Sequence, residues 1–393
     1  MDCCSGRWNL LRCSHLRRCR VPSAPPLLSR SAVVLALMLP CLIPSAHSQS
    51  PPSISQLKKQ AEEMQASGDN NRALTLYAAA LSKAPEWEEG WWKYGGLLYE
   101  DRQFPDAARA FGRLTRLAPE NPLGFALLGL CEYEEKDWEN ASLHLQRALA
   151  FHNRLTGPIL QASAYHLGLA YMRTNNAASA LLILKRLFYA APDYAGLSPA
   201  LGAAELKLQE IPGADSPLSG AVDLASKAAV ATFEDRKKDA EQAYQQLLSQ
   251  FPNQPFAHLD YGMLLESEHS DQDALAEFLA ETKVKPQNST AWLWLARVTL
   301  DGGNAASARD YALRARALDG SDALSYLIEG RSFMAQHEWD NALAPLREAE
   351  KRAPQSSEVH YALVTVCSAL NRKDEAKEER QLFLQTSKAE QER

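Results

Sequence analysis

A 34-residue period runs through most of this chain and restricts its fold more than any other feature. Alanine recurs at Ala73, Ala107 and Ala141, at Ala180, and at Ala240, Ala274, Ala308, Ala342 and Ala376. Twelve residues before these stand Ala61, Gly95, Gly129, Gly168, Ala228, Gly262, Ala296, Gly330 and Val364, all but the last being Gly or Ala. Four residues after them come Tyr77, Phe111, Leu145, Leu184, Tyr244, Phe278, Ala312, Leu346 and Arg380. Proline closes the unit at Pro85, Pro119, Pro252, Pro286 and Pro354, with Gly320 in the place between the last two. Together these spacings describe a helical hairpin. A small residue on a first helix, facing the alanine of a second, lets the two backbones approach closely. Apolar residues three and four apart give each helix one buried stripe. Proline lacks the backbone N–H and disfavours helix in the residue before it, so it ends the second helix. A unit this small cannot bury its own apolar surface and has to stack on copies of itself.

Trp91-x2-Tyr94-Gly95, Leu167-Gly168-x2-Tyr171, Ala107-x3-Phe111 and Pro119 make the unit resemble the tetratricopeptide repeat. The resemblance implies an all-α fold, an α-solenoid of about nine helix–turn–helix units. They begin near Ile54, Glu88, Pro122, Gln161, Ala221, Pro255, Ser289, Ala323 and Ser357. Turn signals such as Gly68-Asp69-Asn70, Asn175-Asn176 and Gly302-Gly303-Asn304 separate the helices. Two places break the register. Residues 151–160 insert five positions, with Gly157-Pro158 restarting the next helix, and residues 195–208 open like a first helix but run into Glu210–Pro217 instead of a second. This predicts an N-terminal array over 49–208, a linker or kink at 209–218, a C-terminal array over 219–388 and a charged tail at 389–393. Pro345, past the first turn of its helix, predicts a bend or a late start. Arg380 and the charged tail predict a polar outer face for the last unit.

Residues 1–30 carry Arg7, Arg12, Arg17, Arg18, Arg20 and Arg30 against the single acid Asp2. A mostly apolar run, Ser31 to Ile43, follows, and then small residues at Ala46 and Ser48. That order predicts a secretory signal peptide over 1–48, cut between Ser48 and Gln49. The alternative is an uncleaved membrane anchor, for which the run falls short of the roughly 20 residues a spanning helix needs. Without residues 1–48 the chain has 36 basic and 47 acidic residues, so the net charge moves from −6 to −11. Such a balance argues against a nucleic-acid partner, which requires a basic footprint. Five of the seven cysteines leave with the segment, and Cys131 and Cys367 lie on apolar helical patterns as buried thiols.

After residue 48 the chain has no H-E-x-x-H, no C-x-x-C, no phosphate- or dinucleotide-binding glycine loop and no nucleophile elbow. The reading is therefore of a protein that is no enzyme and takes no metal and no small-molecule cofactor. His258 and His360 stand where a first helix carries a bulky packed residue. What remains is surface. In the family resembled, first helices line a concave side, which implies a groove built by Trp92, Tyr99, Tyr133, Tyr165, Met172, Phe256, Met263, Arg297, Arg331 and Tyr361. Aromatic anchors of this kind suit a peptide or a partner helix. Some members grip a C-terminal carboxylate, but here Lys58 is followed by Glu62 where an asparagine would be needed, which argues against that use. The expected function is a non-catalytic scaffold for a protein or peptide partner, exported to a bacterial periplasm or secreted. Two alternatives stay open: an accessory subunit of an envelope, polysaccharide-export or glycan-modifying complex, and a scaffold tethered to the membrane by an uncleaved N-terminus.

Overall fold

In the computed structural model, residues 52–151 and 154–392 are described; the expected signal peptide over 1–48 and the expected cut between Ser48 and Gln49 lie outside them. Among the described residues there are nineteen α-helices and no strand. Four hairpins come first: α1 (Ile54–Ala66) with α2 (Asn70–Lys83), α3 (Glu88–Glu100) with α4 (Phe104–Leu117), α5 (Pro122–Glu134) with α6 (Trp138–Ala150), and α7 (Gly157–Arg173) with α8 (Ala177–Ala190). A short helix, α9 (Leu197–Glu205), follows alone. Five more hairpins complete the chain: α10 (Ser219–Phe233) with α11 (Lys237–Gln250), α12 (Ala257–Ser267) with α13 (Asp271–Val284), and α14 (Ser289–Asp301) with α15 (Ala305–Leu318). The last two are α16 (Ala323–Ala335) with α17 (Trp339–Arg352), and α18 (Ser357–Ala369) with α19 (Lys373–Gln391). Successive helices pack on one another, and α5 with α7, α7 with α9, α14 with α16 and α16 with α18 also touch, so these first helices share a layer.

The small residue of each first helix makes room for something larger than the expected alanine. A β-carbon on Gly95 would come within 2.7 Å of the Phe111 ring, and one on Gly262 within 2.7 Å of Phe278. The residue four after each alanine is the one that fills the space, and Phe111, Leu145, Leu184 and Phe278 are completely buried. The alanines are buried beside it, where only a methyl fits.

Each first helix ends on a left-handed residue that reverses the chain. Gly68 and Gly303 take this role, and so do Arg102, Lys136, Asn175, Asp235, His269, His337 and Asn371, with φ between 55° and 84°. Asp69, Asp137, Asn176 and Asn304 then cap the second helices by accepting from a backbone N–H three residues on. At the start of the hairpin, Trp91 Nε1 donates to the Pro85 carbonyl at 2.8 Å and Trp292 Nε1 to the Pro286 carbonyl at 2.9 Å, tying the first helix to the preceding closing turn.

The break in register at 209–218 does not divide the core. One hydrophobic cluster runs from Ala164 and Leu184 through Leu197, Leu201 and Leu206 to Val222, Tyr244 and Leu295. Helix α10 is shared: it packs on α9 as a second helix and on α11 as a first helix. Ser198 and Ser226 hydrogen-bond across the α9–α10 contact at 3.0 Å. Two finer expectations change as well. Helix α17 starts at Trp339, 34 residues after the start of α15, and continues through the buried Pro345, so the proline does not delay it. The outer face of α19 is not wholly polar, because Leu382 and Leu384 are exposed on it.

Candidate functional site

The first-helix face of the N-terminal half carries a run of rings. Tyr133, near the end of α5, lies edge-on to Trp138 and to His166, with centroids 4.9 Å apart in each case. His166 meets Tyr165 at 5.4 Å, and Tyr165 meets Tyr194 at 5.1 Å. Two of the predicted groove residues, Tyr133 and Tyr165, are thus joined through a histidine that the sequence reading passed over. Trp92 instead contacts Phe111 at 6.4 Å and Tyr99 contacts Phe104 at 5.4 Å, each within its own hairpin. Burial pushes the Tyr165 hydroxyl up to about 12. Burial also holds the His166 imidazole below the usual histidine range, although its Nδ1 lies 2.8 Å from the Ala162 carbonyl. The ring is therefore neutral, with the proton on Nδ1, and behaves as an aromatic spacer.

Met172 leaves the predicted set. It is only 2 % exposed and belongs to the core cluster that contains Leu197 and Leu206. Helix α9 packs beside α7 and places Leu197 and Leu206 in the same buried cluster as Met172, whereas the equivalent Tyr99 and Tyr133 stay half-buried. Phe256 is half-buried. It stands at the entry of α12 with φ of 71°, and its N–H donates to both carboxylate oxygens of the buried Glu281, at 2.9 and 3.0 Å. Lys207 and Lys285 lie over its ring at 4.2 and 3.9 Å. A bulky residue in the left-handed region costs energy, and this carboxylate and these cations hold it there.

The C-terminal half presents the more open residues. Met263 on α12 is 39 % exposed and Tyr361 on α18 is 60 % exposed, with Phe383 of α19 at 5.7 Å from the tyrosine ring. Arg297 bonds Glu266 at 3.0 Å and lies over Trp294, while Arg331 bonds Glu358 at 2.6 Å and Asp301 at 3.4 Å. The two arginines thus stitch α12, α14, α16 and α18 together along one face. Half-exposed pairs of this kind add little stability. Among the described residues, no ring contact or ion pair joins the predicted residues of the two halves.

A buried polar junction was not foreseen. Tyr244 of α11 donates to Glu205 at the end of α9, and Lys207 lies 3.9 Å from Asp260 of α12. Burial raises the Glu205 carboxyl, against the lowering effect of Tyr244 and Lys207, and raises that of Asp260 well above the usual carboxylate range. Asp260 Oδ2 has no hydrogen-bond partner. Perturbed acids mark active sites when they line a cleft. These instead belong to the packed contact of α9, α11 and α12. No sequence signal announced them, since Glu205 sits in the half-repeat that breaks the register. Cys131 and Cys367 are buried free thiols, and burial pushes Cys131 up to about 12.

A tetratricopeptide repeat family model matches residues 95–154, 272–323 and 329–380. No curated protein matches the chain. Among solved structures, the MamA protein of Desulfovibrio magneticus is similar at 17 % identity over 43 % of this chain and 94 % of its own, with a TM-score of 0.38. The pilF protein of Pseudomonas aeruginosa is similar at 17 % identity over 59 % of this chain and 97 % of its own, with a TM-score of 0.39. A tetratricopeptide repeat protein of Parabacteroides merdae is similar at 13 % identity over 80 % of this chain and 98 % of its own, with a TM-score of 0.33.

Proposed function

We propose that this chain, parts of which match a tetratricopeptide repeat model, is a non-catalytic scaffold that holds a peptide or partner helix on the first-helix face. The observation that carries the reading is the exposure of Tyr361 and Met263 beside the Arg297 and Arg331 ladder. An exposed aromatic residue, an exposed thioether and half-exposed arginines on neighbouring helices are the ingredients of a recognition surface, and burial of such anchors supplies most of the affinity of an interface. The rings of Tyr133 and Tyr165 offer a second such surface in the N-terminal half. Crosslinking in the native host, followed by mass spectrometry, identifies the partner. Tyr361→Ala and Met263→Ala, which remove no buried contact of the core, should then lose capture while keeping the helical circular dichroism of the parent. Unchanged capture by both variants rules the C-terminal surface out.

The scaffold works outside the cytoplasm on this reading, delivered by residues 1–48. Support comes from the arginine-rich lead, the short apolar run and the small residues before Gln49. Among the described residues, no helix is long and apolar enough to cross a membrane. N-terminal sequencing of the protein recovered from its host distinguishes the forms: a chain starting at Gln49 is the exported scaffold, and one retaining Ser31 is the tethered one.

A further inference from the structure

Two histidines hold equivalent places in their repeats and make the same pair of contacts. His258 is the second residue of α12, and His360 the fourth of α18. The Nε2 of His258 lies 3.1 Å from the Pro252 carbonyl, and that of His360 lies 3.0 Å from the Pro354 carbonyl, in each case six residues back. The Nδ1 of His258 lies 2.6 Å from Glu277, and that of His360 lies 2.8 Å from Glu379, in each case nineteen residues on. Trp91 and Trp292 make the first contact with their own closing prolines, and Trp292 packs on Tyr311, also nineteen residues on. The repeat therefore has one clasp with two chemistries. Tryptophan needs no proton for it. Histidine does, because a carbonyl oxygen cannot donate and both ring nitrogens must do so. Neutral imidazole has one N–H, so it satisfies the carbonyl or the carboxylate, never both.

We propose that His258–Glu277 and His360–Glu379 are proton-dependent clasps that bind both helices of their hairpins to the preceding turn while the imidazole is doubly protonated, and that loosen when its proton leaves to solvent. The charged groups acting on His258 are Glu277 and Glu281, both of α13. Around His360 they are Arg347 and Glu350 of α17 and Glu375 and Glu379 of α19. Arg347 bonds all three of these acids, so the cation that Glu350, His360 and Glu379 would otherwise invite is already supplied by the chain. The same arginine lies against the buried Glu379 and compensates its charge. Burial alone would lower the His258 imidazole, but the hydrogen bond and charge of Glu277 outweigh it and hold it above the usual range. A histidine raised in the folded state contributes stability that is complete below its unfolded value of about 6.5 and is lost as pH rises through the folded one.

Hydrogen exchange on the full chain between pH 6 and 9, corrected for the intrinsic pH dependence of exchange, tests the clasps peptide by peptide. Amides of α12–α13 and α18–α19 should lose protection as pH rises, while those of α3–α4 and α14–α15, clasped by tryptophan, keep theirs. With Asp260→Asn in both proteins, so that the buried acid of α12 adds no loss of its own, H258W/E277Y installs the Trp292–Tyr311 pair of the adjacent repeat and should abolish the loss in α12–α13 while leaving it in α18–α19. A uniform loss in all four hairpins overturns the proposal from the parent protein alone. So does a loss in α12–α13 that survives in H258W/E277Y.

Discussion

Gly202 of α9 lies against the backbone of Val222 in α10: a β-carbon at 202 would come 2.8 Å from the Val222 carbonyl carbon and closer still to its oxygen. The nearest neighbours of the corresponding glycines Gly95, Gly129, Gly168, Gly262 and Gly330 are side-chain atoms, which can shift. Here the neighbour is main chain, and the main chain of α10 also has to meet α11. This contact, with the Ser198–Ser226 hydrogen bond and the shared hydrophobic cluster, joins the two halves of the repeat across the break in its register.

Gly202→Ala is therefore expected to destabilise the protein. Alanine is favoured over glycine inside a helix by about 1 kcal/mol. Overpacking against a backbone that cannot yield costs about 1–3 kcal/mol or more, so the clash wins. Urea unfolding followed by circular dichroism reads the loss, and an unchanged midpoint would show that α9 and α10 separate without cost.

Asp260→Asn should stabilise the protein increasingly as pH rises. Burial keeps the Asp260 carboxyl well above its usual range, with Lys207 opposing the shift and Glu205 and Glu281 adding to it. The folded state thus holds a proton that the unfolded chain releases near pH 3.9, and stability falls as pH rises through the folded value. Asparagine has no charge to bury. The melting temperatures of the two proteins should be close at pH 4 and diverge in favour of the variant by pH 8.

His166 acts in the opposite direction to His258. Its imidazole is held low by burial, so below about pH 6.5 the unfolded chain takes up a proton that the folded one refuses. Stability is complete above that value and is lost as pH falls. His166→Phe retains a ring between Tyr133 and Tyr165 and should flatten the decline between pH 6.5 and 5. The decline persisting unchanged in the variant would assign it to other groups.

Lys136→Gly should raise stability. Lys136 turns the chain between α5 and α6 with φ of 64° and is exposed. The left-handed conformation costs a residue with a β-carbon about 1–2 kcal/mol, and glycine returns about half of that through its freer unfolded state. A net gain of about 1 kcal/mol or less is expected, with Gly303→Ala losing a similar amount at the equivalent turn. Thermal unfolding of the two variants side by side measures both.

The helices were legible because their signals are local. Glu88, Pro122, Ser289, Ala323 and Ser357 open helices in the structure as they do in the 34-residue register. The turns were legible only where glycine or asparagine stood in them. Arg102, Lys136 and His337 occupy the same left-handed position with no compositional mark, because the closed hairpin imposes a conformation that their side chains do not favour. The clasps were half legible: His258 and His360 were placed correctly as packed residues, but their glutamates lie nineteen residues away on another helix.

By itself the sequence determined that this chain is a stack of helical hairpins and where most of them begin, since the spacing of small, bulky and helix-ending residues is a property of the chain alone. Which first-helix residues face solvent was decided by tertiary structure. Tyr133, Met172 and Tyr361 all stand on apolar first-helix patterns. Yet Tyr133 meets a histidine of the next hairpin, Met172 is buried in one cluster with residues of the additional helix α9, and Tyr361 stays open. Exposure depends on what packs from tens of residues away, and no period within a single repeat carries that information.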